Sequence, residues 1–295
     1  MEFHQLRYFV EVARQRNFSR AAEHCHVSQP SLSQQIQKLE DELGQPLFTR
    51  TRLGAVLTPF GEATLPRAEA ILNGAANLLE EADAQQGEVR GTLRVGAIPT
   101  IAPYLLPGLV RCSLERYPEL NLEISEEVTA GLVAHLRNGE LDFVILSPPF
   151  LGQDATAIEP LGDDELLVAL PPDHALTRPR RLSLEKLAQE PMIVLKEAHC
   201  LGRQSVSLCE TSGVHPRVSI QSAQLETVVA LVEAGLGFSF LPAMAREAME
   251  NRKITLRSVD PKPVSREIVI ARPRNGHLSR AGNAFLKLAR DLHPA

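Results

Sequence analysis

Four cysteines are the most reactive side chains in this 295-residue sequence. Two of them stand together in the stretch His199-Cys200-Leu201-Gly202-Arg203-Gln204-Ser205-Val206-Ser207-Leu208-Cys209. A thiolate attacks peroxides to give a sulfenic acid, and a sulfenic acid condenses with a second thiol to a disulfide. If the stretch is helical, the separation of Cys200 from Cys209 corresponds to a rise of roughly 13 Å, well beyond the roughly 7 Å between Cα atoms that a disulfide tolerates. Bridging them would require the local fold to come apart. A thiol pair that is near in sequence but cannot bond without refolding is a candidate switch. Two ordinary buried cysteines are the plainer alternative, and the surrounding chain decides between them.

Such chemistry needs positioning groups. At an unperturbed pKa near 8.5 only about 3 % of a cysteine is thiolate at neutral pH, so lowering the pKa gains at most roughly 30-fold in rate, about 2 kcal/mol of barrier. A faster sensor needs donors that hold the oxidant and stabilise its leaving oxygen. The fold that would supply them has to be read from the rest of the chain.

Composition sets broad bounds. The length suggests two or three domains with ample core. A net charge of -5 argues for a soluble protein and, alone, against a nucleic-acid partner. The cysteines have no framework spacing, and Glu2, His4 and Arg7 occupy the start where a signal peptide would be apolar. No apolar run approaches the roughly 18 residues that span a bilayer. The expectation is a cytoplasmic, reducing setting with no membrane partner, where a disulfide would be transient.

The first sixty residues alter the inference from charge. Leu6, Phe9, Val10 and Ala13 recur at helical spacing. Ser19 is placed to cap a short second helix carrying Ala21, Ala22 and Cys25. Ser28 is placed to cap a third, in which Leu32, Ile36, Leu39 and Leu43 repeat until Gly44. Its other face, with Gln29, Ser31, Ser33, Gln34, Gln35 and Gln37, holds hydroxyls and amides suited to base edges, and Lys38 suits a phosphate. Thr49-Arg50-Thr51-Arg52-Leu53-Gly54 reads as a basic hairpin. Helix, tight turn, helix and wing predict a winged helix-turn-helix over 1–58, with Ser28, Gln29, Ser31, Ser33, Gln34, Lys38, Arg50 and Arg52 as the DNA-contacting set. His24, Cys25 and His26 are consecutive and point about 100° apart on a helix, so they do not converge on a metal. No metal or cofactor is expected.

Thr58-Pro59 starts a linker helix over 59–90. Leu65, Ala68, Leu72, Ala75, Leu79 and Ala82 alternate steps of three and four, the seam of a coiled coil, which calls for a partner helix; Pro66 sits inside it. Beyond Gln85-Gln86-Gly87-Glu88, apolar runs alternate with helical segments, the pattern of a parallel α/β sheet. Strands are predicted at Leu93–Ile98, Leu122–Glu126, Phe143–Leu146, Leu166–Leu170, Ile193–Leu195, Val218–Ile220, Phe238–Leu241 and Ile268–Ala271. Gly235-Leu236-Gly237 follows a helix and is read as its terminator rather than a dinucleotide loop. Cys112 is read as structural.

Several of these segments together resemble the LysR-type transcriptional regulators: Phe18 with Ala21-Ala22, Val27-Ser28-Gln29-Pro30-Ser31-Leu32-Ser33, Ile36, Leu39-Glu40, Leu43-Gly44, Leu47-Phe48 and Arg50. That resemblance implies that the third helix enters the major groove of double-stranded DNA, that Arg50 and Arg52 reach backbone or minor groove, and that the linker helix forms a homodimer. It also implies a periplasmic-binding-protein-like α/β regulatory domain of two subdomains, 91–162 with 267–295 and 163–266, and an assembly into a homotetramer, with RNA polymerase as a further partner. Ile98-Pro99-Thr100, Pro103-Tyr104-Leu105-Leu106-Pro107, Leu225-Glu226-Thr227, Leu241-Pro242-Ala243 and His199-Cys200-Leu201 with Gln204 and Cys209 resemble the family's peroxide-sensing members. By that resemblance Cys200 is the peroxidatic thiol, Cys209 the resolving one, and Thr100, Thr129 and His199 bind hydrogen peroxide. In this chain Gly202-Arg203 stand where those members carry an arginine and an aspartate. Loss of the aspartate implies slower turnover or a different oxidant unless Arg203 stabilises the thiolate in its place. The alternative function is a regulator that senses a small metabolite at Thr100 and Thr129 with inert cysteines. An enzyme using Cys200 and His199 would need neither the DNA reader nor the seam.

Overall fold

In the computed structural model, which describes residues 1–51, 54–83, 89–178, 181–196, 198–274 and 278–292, the chain opens with three helices. They are α1 (Phe3–Gln15), α2 (Phe18–His24) and α3 (Gln29–Leu43). The cap of α2 is Asn17, not Ser19: its Oδ1 accepts the backbone N–H of Ser19 at 2.9 Å and of Arg20 at 3.1 Å. Asn17 alone keeps extended backbone, so the break between the helices is shorter than the sequence implied and Ser19 lies within the first turn. Ser28 caps α3 by accepting from the N–H of Ser31, and Gly44 ends it with φ 73°, as predicted.

Leu6, Phe9, Val10, Ala21, Ala22, Leu32, Ile36 and Leu39 form one buried cluster with Leu47 and Phe48, each large apolar side chain contributing about 1.5–3 kcal/mol. Two polar residues fix the arrangement. Gln5, itself buried, donates to Gln35 Oε1 and joins α1 to α3. Glu40 Oε1 accepts the N–H groups of Leu47 and Phe48 at 2.6 and 3.1 Å and so anchors β1 (Phe48–Thr51), which pairs antiparallel with β2 (Gly54–Leu57).

Helix α4 (Pro59–Asp83) runs through Pro66 without ending. The expected seam divides on inspection. Leu65, Ala68 and Leu72 pack onto the cluster just described, so the first half of that stripe is satisfied within its own unit. Among the described side chains of α4, the large apolar ones facing solvent are Ile71 and Leu78, 43 % and 67 % exposed, one position away from the predicted stripe. A helix docked on its own domain must spend one face there, and this displaces the free face. The side chains of Leu79 and Ala82 fall outside those described.

The described chain divides into two units, Met1–Gly91 with Arg137–Glu140, and Thr92–Leu136 with Leu141–Ala295. The second is built on β3 (Gly91–Ala97), α5 (Ala102–Arg116), β4 (Leu120–Glu126), α6 (Thr129–Arg137), β5 (Phe143–Leu146) and β6 (Thr156–Leu170). It continues with β7 (Arg181–Ser183), β8 (Met192–Leu195), α7 (Cys200–Thr211), β9 (Val218–Ser222) and α8 (Leu225–Glu233), then β10 (Ser239–Pro242), β11 (Thr255–Asp260), β12 (Ser265–Pro273) and α9 (Arg280–Leu292).

The sheet is mixed rather than parallel. Its order is β4-β3-β5-β12-β6-β11-β7, with β10 also on β6. Strands β3 and β5 are parallel, but β12 runs antiparallel to both β5 and β6. Strands β6 and β12 are far longer than their predicted runs of Leu166–Leu170 and Ile268–Ala271, because both carry charged residues in paired positions, Asp163, Asp164 and Glu165 on β6 and Arg266 and Glu267 on β12. These charges break the apolar pattern while the ladder continues. Strands β7 and β11, short or half-buried, escaped the sequence for the same reason. Parallel β8 and β9 form a separate pair. Gly235 follows α8 with φ 76°, which matches its reading as a helix terminator.

Candidate functional site

Helix α7 carries both sequence-adjacent cysteines, Cys200 as its first residue and Cys209 near its end. Nine residues at about 100° each place the two side chains about 180° apart around the axis as well as roughly 13 Å apart along it. Both are free thiols and both are buried, 2 % and 1 % exposed. Their surroundings differ. Cys209 belongs to an apolar cluster with Met192, Ile193, Val194, Leu195, Leu201, Val214, Val228 and Phe238. Burial, reinforced by Glu210, pushes its thiol up to about 11. Cys200 lies on the wall of a cavity of about 520 Å³, with Pro148, Pro149, Arg203, Gln204, Leu208 and Arg266 among its neighbours there.

The start of α7 is held from several directions. His199 is its N-cap residue, without a side-chain cap bond. The N–H of His199 donates to Lys196 O at 2.9 Å, and the N–H of Gly202 to His199 O at 3.1 Å. Gly202 has a specific steric reason to be glycine. A Cβ there would stand 2.2 Å from the carbonyl oxygen of Leu195 and 3.0 Å from that of Lys196, so the first turn of the helix rests directly on the end of β8. Gln204, one turn from Cys200 on the same face, donates through Nε2 to Ser147 Oγ at 2.8 Å and to Pro148 O at 3.0 Å. Its Oε1 is buried with no partner. Sequence reading quoted Gln204 without giving it a role, and only the proximity of Ser147 reveals one.

The expected oxidant-binding residues are placed unequally. Thr100, buried after β3, receives two bonds from Arg266: Nη1 donates to its Oγ1 at 2.8 Å and Nη2 to its carbonyl oxygen at 2.9 Å. Arg266 in turn lines the Cys200 cavity. Thr129 is the first residue of α6 and also buried, and its Oγ1 has no partner, so neither threonine caps a helix through its side chain. His199 is buried, and burial lowers its pKa despite a hydrogen bond to the Ala223 backbone, which acts the other way. Arg203 is exposed at the cavity wall. Thr100, Thr129 and His199 are not on the described lining of that cavity; Thr100 is joined to it through Arg266.

In the first unit, Ser28, Ser31, Gln34 and Lys38 are exposed, while Gln29 and Ser33 are half-buried. Ser31, Gln34 and Lys38 follow at helical spacing along one face of α3. Ser28 already uses its hydroxyl as the cap. The Arg50 side chain and all of Arg52 lie outside what is described. Among the described residues no helix is long and apolar enough to cross a membrane.

Comparison with known proteins bears on both units. Residues 3–62 match the model of the bacterial regulatory helix-turn-helix protein, lysR family, and residues 86–294 match the LysR substrate binding domain. A probable hydrogen peroxide-inducible genes activator from Streptomyces viridosporus is 38 % identical over 90 % of this chain and 86 % of its own length. The DNA-binding transcriptional dual regulator OxyR of Escherichia coli is 36 % identical over 95 % of this chain and 92 % of its own. A solved full-length OxyR variant from Pseudomonas aeruginosa superposes with a TM-score of 0.79 at 34 % identity, covering 99 % of this chain and 97 % of that one.

Proposed function

The chain belongs to the LysR family of bacterial regulatory helix-turn-helix proteins, and from that premise we propose how it works: a DNA-binding transcriptional regulator that senses hydrogen peroxide by oxidation of Cys200 and disulfide formation with Cys209. The observation that carries this reading is the placement of two thiols on opposite faces of one helix, one on a cavity wall and one in an apolar cluster.

The chemistry balances without a cofactor. The Cys200 thiolate attacks one peroxide oxygen; an S–O bond forms, the O–O bond breaks, and the second oxygen leaves with the electron pair and is protonated to water. Thr100, Thr129 and His199 hold the oxidant and stabilise its leaving oxygen. Cys209 then attacks the Cys200 sulfur, forming S–S and releasing the sulfenic oxygen as water. The second step obliges α7 to unwind, because its thiols are about 180° and roughly 13 Å apart. Closing a loop of this length constrains the opened segment by about 3 kcal/mol in the chain-entropy model, the upper end of a typical coupling energy of roughly 1–3 kcal/mol. Withdrawing Cys209 also disturbs the cluster it packs in.

In this reading residues 1–58 read DNA through Ser28, Gln29, Ser31, Ser33, Gln34, Lys38, Arg50 and Arg52. Residues 59–90 dimerise with a second copy, through the face that carries Ile71 and Leu78. The regulatory domain consists of 91–162 with 267–295 and 163–266, and the oxidised form changes the geometry of a cytoplasmic homotetramer and its contact with RNA polymerase. Arg203, at the aspartate position, stands on the lining of the Cys200 cavity and brings positive charge there. Cys200→Ser tests the assignment. DNA affinity is expected to stay within about twofold of the parent while the peroxide-dependent change in footprint disappears. A retained response returns the protein to the metabolite-sensing reading.

A further inference from the structure

A buried ion pair joins β6 and β12. Arg266 on β12 and Asp164 on β6 are direct partners in the antiparallel ladder, and their side chains are 1 % and 4 % exposed. Arg266 Nε donates to Asp164 Oδ2 at 3.0 Å, and Asp164 Oδ1 accepts the N–H of Met244 at 2.9 Å. Taking two charges out of water is costly, and apolar residues of similar volume often serve stability at least as well. A retained buried pair therefore points to position rather than to strength.

What it positions is Thr100. With Nε held by Asp164, both terminal nitrogens of Arg266 donate to Thr100, Nη1 to its hydroxyl and Nη2 to its carbonyl, and Nη2 also reaches Met244 Sδ at 3.9 Å. A guanidinium can only donate, whereas a hydroxyl has one hydrogen and two acceptor lone pairs. The Thr100 oxygen must accept from Arg266, and its own hydrogen is left to donate elsewhere. A hydroxyl free to rotate would alternate between accepting from a peroxide and donating to it. One whose oxygen already accepts from Arg266 has fewer ways left to accept and is the better donor, which is what the leaving oxygen requires as the O–O bond breaks and negative charge develops on it. The carboxylate of Asp164 does not line the Cys200 cavity but a second one of about 390 Å³ with Tyr104, Glu165 and Met244, so it acts from behind the arginine.

We infer that Asp164 is a positioning residue for the oxidation of Cys200: by fixing Arg266 on Thr100 it occupies one lone pair of the Thr100 hydroxyl and favours donation of its hydrogen toward the peroxide. The inference rests on the reading of Thr100 as part of the oxidant site, and a double-mutant cycle separates the two. The rate of Cys200 thiol loss under excess hydrogen peroxide is measured for the full-length parent, Thr100→Val, Asp164→Asn and the double variant, with the melting temperature of each. Asp164→Asn is expected to lower the melting temperature in both backgrounds, as any broken buried pair does. Its rate penalty is expected to be about tenfold with Thr100 present and less than about twofold once Thr100 is valine. A merely structural role predicts the same penalty in both backgrounds, and that result, or a parent-like rate for Asp164→Asn, overturns the inference while leaving Thr100 in place. A parent-like rate for Thr100→Val removes the oxidant-site reading itself and the inference with it. If Asp164→Asn does not fold, Asp164→Glu, which keeps the charge but moves it, enters the same cycle under the same criteria.

Discussion

The two ends of α7 present the same side chain to opposite surroundings. At the first turn, Cys200 meets a cavity that also receives Arg203, Gln204 and Arg266. Near the last turn, Cys209 is packed in an apolar cluster, and burial, with Glu210 beside it, holds its thiol well above the ordinary cysteine range. Residue type alone therefore does not decide what a thiol does here. On the proposed function, the cavity end supplies the thiol that attacks the oxidant and the apolar end holds the second thiol back until the helix opens, since a single straight helix keeps the two apart.

The contrast can be sharpened first at the cavity end. Gly202 is pressed against the Leu195 carbonyl, so Gly202→Val is expected to cost about 3 kcal/mol or more by chemical denaturation. Glu210→Ala, on the exposed side of the far end, should change stability by less than about 0.5 kcal/mol. Similar effects at both ends would erase the distinction.

The next largest effect concerns reactivity. A thiol raised from 9.0 to about 11 loses roughly 100-fold in thiolate near neutral pH. In the reduced native protein, Cys209 is expected to alkylate with iodoacetamide at least about 100-fold more slowly than in the urea-unfolded chain, read by peptide mass spectrometry. A native rate equal to the unfolded one would show that the apolar end is not sealed.

The smallest effect lies at His199. Its pKa is lowered in the fold, chiefly by burial, so the unfolded chain binds the proton more readily and stability falls as pH drops below roughly 6.5, the unfolded value. Replacing His199 by glutamine is expected to flatten the difference in urea midpoint between pH 7 and pH 5 by the equivalent of under about 1 kcal/mol. An unchanged slope would mean that the proton goes elsewhere.

Much of the reader was legible in the sequence because local rules decide it: Ser28 and Gly44 bound α3, and the Leu32, Ile36, Leu39 repeat defines its buried face. The cap of α2 was misplaced because Asn17 and Ser19 are both good caps and only the backbone distinguishes them. The regulatory unit was legible where strands are uniformly apolar, as in Phe143–Leu146, and was lost where charges lie inside a strand. Asp164 and Arg266 interrupt the pattern of β6 and β12 and were invisible as partners, since 102 residues separate them. Part of the predicted stripe, Leu65, Ala68 and Leu72, packs within its own unit, because a periodic pattern does not say which of two neighbours it serves. The role of Gly202 is likewise a matter of approach by a distant carbonyl, which spacing cannot report.

The central claim is that peroxide joins the two ends of α7. Non-reducing peptide mapping of the full-length protein after mild hydrogen peroxide tests it directly. A Cys200–Cys209 disulfide-linked peptide that disappears on reduction is expected, with Cys25 and Cys112 recovered as free thiols. Recovery of Cys200 and Cys209 as free thiols, or a link from Cys200 to another cysteine, would contradict it.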